Sequence, residues 1–285
     1  MFSIIIPLYN KAASFGKTIL SLQQQDYGEF EVIIVDDGSK DNSLEIARSI
    51  DDPRFHVYAK ENEGVSIARN YGVQYAKNEF VIFLDADDEL SPSFLKKMKS
   101  AIEKYPEESF FSASYALSDN GNVEYIRYYE GMEPVVIKDY CKTFLEKRTA
   151  LCCVGSTCVR KSELVAAGMF SPGVKRGEDH DLWLRLACKH SLVYVPEPYL
   201  QYNLDSCNNS RGKYGSHKNS FPYWKWFDYD YPNRKALTLY TDYFILGNMK
   251  SAIKGGVWKS VFYWCKHLMF YNTRFILQRV LNFFR

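Results

Sequence analysis

The stretch 80-FVIFLDADDEL-90 decides how the rest of the chain is read. Four apolar residues, Val81 to Leu84, have the character of a buried strand and run directly into Asp85, Asp87 and Asp88. A continuous apolar run, rather than an alternating one, marks a strand covered on both faces. Unpaired carboxylates are very costly inside such a core, so they belong where the strand leaves it. Acids this close repel one another unless they share a cation. Two sources of positive charge are open. One is a divalent metal, because hard oxygen ligands suit Mg²⁺ or Mn²⁺. The other is Arg69, three residues after Ser66 in the opening turns of the preceding helix.

Upstream, the same alternation repeats. "FSIIIPLYN" is a short buried strand stopped by Pro7, and "KAASFGKTILSLQQQ" has helical spacing, with Ile19 and Leu22 on one face. "FEVIIVDDGSKDNS" is a second buried strand ending in Asp36 and Asp37. "SLEIARSI" follows as a helix with Asp41, Asn42 or Ser43 as its cap. "FHVYAKENEG" is a third strand and "GVSIARNYGVQYAK" a third helix. After the opening stretch, "SPSFLKKMKSAIEKY" predicts a fourth helix capped by Ser91, with Pro92 as its first residue. Strand and helix thus alternate four times in about 105 residues, the pattern of a parallel sheet with helices on both faces. Ligands of such sheets sit beyond the carboxyl ends of the strands. Those ends carry Tyr9 and Asn10, Asp36 and Asp37, Asn62 and Gly64, and Asp85 to Asp88, and all four clusters should converge on one rim.

Downstream, "SFFSASYALSDNGNVEY" predicts a strand and hairpin turned by "DNGN". "VVIKDYCKTFLEKRT" reads as a helix. "ALCCVGSTCVRKSELVAAGMF" reads as a small-residue strand, then a helix from Lys161 or Ser162 to Gly168. In "SPGVKRGEDHDLWLRLACKH", Gly173 and Gly177 flank a loop, and Glu178, Asp179 and Asp181 open a helix, where acids suit the macrodipole. "LVYVPEPYLQYN" is another strand. Residues 205–235 read as a mobile loop in which Arg211, Lys213, His217 and Lys218 are either phosphate contacts or solvated charges. The end of the chain predicts two or three helices. The last mixes Trp258, Phe262, Trp264, Phe270 and Phe275 with Lys259, Lys266, Arg274, Arg279 and Arg285, and no acid follows Asp242. Such a basic, aromatic segment suits a membrane interface, and packing against the main domain is the competing role.

Composition sets the outer bounds. The chain has 285 residues, 46% hydrophobic and 16% aromatic, enough for a sizeable core. A net charge of +2 gives no reason to expect a nucleic acid partner. Seven cysteines show no zinc spacing, and the adjacent Cys152 and Cys153 suit neither a bridge nor a metal knuckle. Free thiols in a reducing compartment are the expectation. "MFSIIIPLYNKAAS" has no basic n-region and no apolar run reaches spanning length, so a cytoplasmic protein is expected.

Five segments, "SIIIPLYNKAASFGKTILSLQQQ", "EVIIVDDGSKDNS", "ENEGVSIARNYG", "FLDADDEL" and "RGEDHDLWLRL", taken in this order, resemble the family 2 inverting glycosyltransferases of GT-A fold. The resemblance covers residues 1–205. It implies a GT-A catalytic domain over 1–205, with 1–105 the nucleotide-binding half and 106–205 the acceptor half. A loop or lid over 206–235 and a helical basic-aromatic extension over 236–285 follow it. It also implies a UDP-sugar donor and a divalent cofactor, Mn²⁺ or Mg²⁺. Carried onto this chain, Pro7 and Tyr9 line the nucleoside pocket, Asp37 meets the uracil with Asp36 beside it, and Arg69 approaches the nucleotide. Asp85 and Asp87 form the Asp-x-Asp motif, with Asp85 toward the ribose or sugar and Asp87 on the metal together with Asp88. Asp179 matches the catalytic base, and Glu178 stands beside it at the acceptor.

The chemistry asks for the same division. A departing diphosphate needs its charge neutralised, and an inverting displacement needs one base for the acceptor hydroxyl. The expected reaction moves a hexose or N-acetylhexosamine onto a glycan, a polyprenyl-diphosphate-linked sugar of a surface polysaccharide, with β linkage. The enzyme would be held peripherally at the inner face of the membrane by its C-terminal helices. A nucleotidyltransferase is the first alternative, but "PLYNKAAS" lacks a Gly-rich basic phosphate loop. A non-catalytic nucleotide-sugar-binding module of the same fold is the second.

Overall fold

The structure is a computed structural model that describes residues 1–204, 218 and 220–271, the last three by backbone alone. Arg211, Lys213 and His217 therefore lie outside the described residues, and Lys218 is exposed. The first part alternates as expected: β1 (Phe2–Leu8), α1 (Phe15–Gln23), β2 (Phe30–Asp36), α2 (Ser43–Arg48), β3 (Phe55–Ala59), α3 (Val65–Tyr75), β4 (Phe80–Phe83), β5 (Glu89–Leu90) and α4 (Phe94–Lys104). Then come β6 (Phe110–Asp119), β7 (Asn122–Ile126), β8 (Val135–Ile137), α5 (Tyr140–Lys147), β9 (Thr157–Arg160), α6 (Lys161–Ala166), α7 (Glu178–Ala187), β10 (Leu192–Asn203), α8 (Arg234–Lys254) and α9 (Trp258–Tyr271).

One sheet runs β3-β2-β1-β4-β9-β6-β10-β5, with β7 paired to β6 and β8 to β10. β3, β2, β1 and β4 are mutually parallel. Beyond β4 the sheet is mixed, because β9 runs antiparallel to both β4 and β6 while β10 is parallel to β6. The unbroken apolar runs have a direct cause. Ile4, Ile6, Val32, Ile34, Phe80 and Ile82 share a core with Phe15 and Leu22 of α1 and Phe94, Leu95 and Met98 of α4. Side chains alternate between faces along a strand, so the intervening Ile5 and Phe83 point the other way. Ile5 meets Gly72 of α3, and Phe83 meets Phe170 edge-on at 4.9 Å. Both faces are covered, so the positions are apolar save for buried polar groups that find partners, such as Ser3 Oγ donating to Glu31 Oε1 at 2.7 Å; a fully buried apolar side chain of this size stabilises by roughly 1.5–3 kcal/mol.

Three local expectations change. α4 starts at Phe94 after Ser93, because the Ser91 N–H donates to Tyr199 O at 2.8 Å and Ser91 O accepts from the Gln25 amide at 2.8 Å, which ties Ser91 to its neighbours outside the helix. The "VVI" of the segment read wholly as a helix is β8, drawn into the sheet by β10, and the helix starts only after Asp139, whose carboxylate accepts from Lys142 N–H at 3.0 Å. Within the stretch read as a mobile loop, Tyr223–Asp228 form a 3-10 turn with Tyr223, Trp226 and Phe227 buried. The six described cysteines are free thiols.

The chain divides into two compact units. The first comprises Met1–Lys138, Ala150–Gly173 and the segment from His190 to 204; the second comprises Asp139–Thr149, Val174–Lys189 and the described residues from 218 on. This division cuts across the expected boundary at 205, because α5 and α7 pack with the C-terminal aromatics. Phe144 lies 4.8 Å from Tyr240 and 5.5 Å from Phe244. Trp226 Nε1 donates to Asp181 at 3.1 Å.

Candidate functional site

The rim at the carboxyl ends of β1 to β4 is stitched together by polar contacts between its loops. After β1, Asn10 takes the left-handed conformation (φ 51°), its N–H donates to Ser39 Oγ at 3.1 Å and its Oδ1 accepts from Lys40 N–H at 2.7 Å. Asp37, just past β2, is buried. Its Oδ1 accepts from Lys60 Nζ at 2.8 Å and Glu63 N–H at 3.1 Å, and its Oδ2 accepts from Gly64 N–H at 2.8 Å, immediately before α3. Asn62 Nδ2 donates to Asp37 O at 2.8 Å. That clasp needs Gly38 at φ 73°, where a Cβ would stand 3.0 Å from Asn62 N. Asp36 ends β2, buried, with Oδ2 accepting from Ser39 N–H at 3.2 Å. Pro7 is half-buried within β1 and Tyr9, just beyond it, is exposed.

The acid turn after β4 is neutralised from two directions. Arg69, buried in α3, donates to Asp85 Oδ1 at 2.8 Å and lies 4.9 Å over the Phe170 ring. Lys11 Nζ meets Asp87 Oδ2 at 2.5 Å. Asp88 turns inward, and its Oδ1 accepts from the Asn203 N–H of β10 at 3.0 Å. Asn203 Nδ2 also donates to Asp87 O at 2.7 Å, pinning the turn. Burial, then the nearby Asp85 and Asp87 charges, push the Asp88 carboxyl well above the usual carboxylate range. Of the two side-chain cations that meet the acid turn, Arg69 was legible in the sequence, beside a divalent metal as the other candidate; Lys11 was not.

Among the buried oxygens without a hydrogen-bond partner in the described residues are Asp36 Oδ1, Ser66 Oγ and Asp88 Oδ2. Asp36 ends β2, Asp88 follows β4 and Ser66 lies in the first turn of α3, where an outside ligand would complete them. The residues suit a divalent ion held in part by a substrate. Mg²⁺-type ions commonly take one or two carboxylates and leave other positions to water and phosphate. Asp87 offers an oxygen shared only with a lysine head, and Asp85 stands beside it, partly exposed. Asp88 suits the role least, since one oxygen is occupied and a ligand must be deprotonated. No group of three or more acid, His or Cys side chains capable of caging an ion occurs among the described residues.

In the second unit, Glu178 and Asp179 open α7 after Gly177, both partly exposed. Asp179 Oδ1 accepts from the His180 N–H at 2.8 Å. Asp181, two residues on, is buried; it accepts from Trp226 Nε1 at 3.1 Å, Tyr229 OH at 2.6 Å and Arg185 Nη2 at 2.9 Å. Of the residues that sequence reasoning passed over, Lys11 and Lys60 follow strand ends as Asp37 does, but only the fold shows which acid each one meets. Asn203 lies 115 residues from Asp88 and carries no local signal.

AmsB, the amylovoran biosynthesis glycosyltransferase of Erwinia amylovora, is 28% identical over 255 residues, 84% of this chain and 81% of AmsB. YibD of Escherichia coli K12, an uncharacterized glycosyltransferase, is 37% identical over 122 residues, 42% of this chain and 36% of YibD. The matched part thus spans about a third of that relative's length. S. aureus TarS, solved with UDP-GlcNAc, superposes with a TM-score of 0.62 at 22% identity over 80% of this chain and 63% of the TarS chain, a likeness of fold that marks the sheet as GT-A. The family described as Glycosyl transferase family 2 matches residues 3–166, from β1 through α6 and so across the whole acidic rim, and the chain belongs to it.

Proposed function

We propose that this chain is an inverting glycosyltransferase that moves a hexose or N-acetylhexosamine from a UDP-sugar to a lipid-linked glycan in polysaccharide synthesis, leaving a β linkage. The observation that carries the reading is the rim itself. A buried Asp37, the Arg69–Asp85 pair and the Lys11–Asp87 pair stand together at the carboxyl ends of four parallel strands. Ligands of open α/β sheets bind there. The neighbour TarS, solved with UDP-GlcNAc, and the relative AmsB, named for amylovoran biosynthesis, support the donor and product classes.

In this reading Asp37 accepts from the uracil N3–H, and Arg69 holds Asp85 toward the ribose or sugar. Asp87, with Asp88 behind it, would hold a divalent ion, which would supply charge neutralisation for the departing diphosphate. As the bond from C1 to the diphosphate oxygen breaks and the bond to the acceptor oxygen forms, the acceptor hydroxyl becomes acidic. Asp179 takes its proton, and Glu178 orients the acceptor. A weak base suffices because the transfer is timed with bond formation. The exposed aromatic face of α9 supports a peripheral position on the inner leaflet; among the described residues no helix is long and apolar enough to cross a membrane.

The test is UDP release from a panel of UDP-sugars, with Mn²⁺ or with EDTA, using a synthetic lipid-diphosphate sugar as acceptor. One donor should be consumed, only with metal and only with acceptor. Consumption of a nucleoside triphosphate with pyrophosphate release would replace this reading with a nucleotidyltransferase.

A further inference from the structure

The acid turn is neutralised by the chain's own groups, and the two cations that do it are built differently. Arg69 is 3% exposed, sits over Phe170, and donates to Asp85 at 2.8 Å. It is a fixed partner. Lys11 is moored by its backbone: its N–H donates to Ser43 Oγ at 2.8 Å, the Ala12 N–H donates to Asp41 Oδ2 at 3.1 Å, and Asn10 is clasped to Ser39 and Lys40. Its ammonium reaches Asp87 on a four-carbon stem, in a side chain that is 16% exposed. The head can therefore leave Asp87 with no change in the loop that carries it. Lysine is a compact point charge on a flexible stem, unlike the planar guanidinium.

We infer that Lys11 is a resident counter-ion that competes with a divalent cation for Asp87. The inference rests on the metal-assisted reading above. With Lys11 on Asp87 Oδ2, Arg69 on Asp85 Oδ1 and the Asn203 N–H on Asp88 Oδ1, each acid of the turn has a protein partner. A bare ion must displace the lysine and also tolerate its charge nearby. An ion that arrives with a diphosphate brings negative charge, which gives the displaced ammonium a new partner. The nucleotide-free protein therefore holds free metal weakly and takes it up together with the donor.

The experiment is an Mn²⁺ titration of the full-length protein without nucleotide, read by the loss of the free-ion electron paramagnetic resonance signal. Lys11→Met should bind Mn²⁺ roughly two- to fivefold more tightly than the parent, the worth of a partly exposed ion pair. Lys11→Arg, which keeps the charge, should show no such gain. Asp87→Asn placed on Lys11→Met should abolish it. Equal or weaker Mn²⁺ binding by Lys11→Met, a gain that survives Asp87→Asn, or no Mn²⁺ binding by any variant would overturn the inference. UDP binding, measured by calorimetry on the same samples, separates the two readings. A protein that binds UDP but shows no Lys11 effect loses only the counter-ion, whereas one that binds no UDP loses the proposed donor as well.

Discussion

Asp179 and Asp181 are two positions apart and have opposite surroundings. Two residues along a helix turn about 200°, so the same acidic run faces both solvent and core. Asp181 is 1% exposed and accepts hydrogen bonds from Trp226, Tyr229 and Arg185. Its carboxylate holds the second unit together. Asp181→Asn should lower stability by about 1–3 kcal/mol, because the amide NH2 then faces donors of Trp226, Tyr229 or the partly exposed Arg185 in place of an acceptor; urea unfolding checks this. Asp179→Asn should leave the unfolding midpoint within error and cut turnover by roughly 10²–10⁴-fold, the range of a general base. Loss of stability in both variants would mean that Asp179 is also structural. In the first unit, Gly72 lies against Ile5, where an added Cβ would come 2.4 Å from Cγ2. Gly72→Ala should therefore cost about 1–3 kcal/mol through overpacking, again read by urea unfolding.

At the scale of elements, α9 is the clearest case of one helix with two environments. Val261, Trp264 and Leu268 are buried, while Trp258 is 59% exposed and Phe262 72% exposed, on a face shared with the exposed Lys259 and Lys266. Aromatics and lysines on one face suit an anionic bilayer surface. The protein should sediment with vesicles containing phosphatidylglycerol, less so at high salt, and weakly with phosphatidylcholine alone. Trp258→Ser with Phe262→Ser should reduce that sedimentation severalfold with no change in the unfolding midpoint. Equal sedimentation by the double variant would remove α9 from the membrane. The sequence showed that this segment was basic and aromatic but not which aromatics pack inward, since that depends on the partner helix. The same limit explains the other elements. β1, β2 and β4 were legible because strands buried on both faces are apolar over an unbroken run, residues 4–6, 32–35 and 80–83. "VVI" was not, because three apolar residues carry no period, and their pairing with β10 lies 55 or more residues away in sequence. The rim acids were legible because charge at the end of an apolar run is locally visible. Their partners Lys11 and Asn203 were not, because only the fold brings those loops together.

At the scale of the whole molecule, the family match to residues 3–166 and the acids of α7 fall in different places. Every residue assigned to the nucleotide or metal belongs to the first unit, and Glu178 and Asp179 belong to the second. Donor binding and proton removal should therefore separate cleanly by mutation. A ligand that binds only the folded state stabilises it by RT ln(1 + [L]/Kd), about 2.7 kcal/mol at a hundredfold excess over Kd. At roughly 2–4 °C per kcal/mol for a domain of this size, UDP with Mn²⁺ should raise the melting temperature of the first unit by several degrees, and EDTA should reverse most of the gain. Asp179→Asn should show the same rise while losing turnover. Asp37→Ala should lose the rise and the turnover together, and its own melting temperature should fall, because Lys60 and two backbone N–H groups lose their acceptor. Asp37→Asn keeps one acceptor oxygen and turns a donor toward the other side of the clasp, so its melting temperature should fall less than that of Asp37→Ala. If Asp179→Asn lost the UDP-dependent rise, the division of labour between the units would be wrong, and the acids of α7 would have to take part in holding the donor.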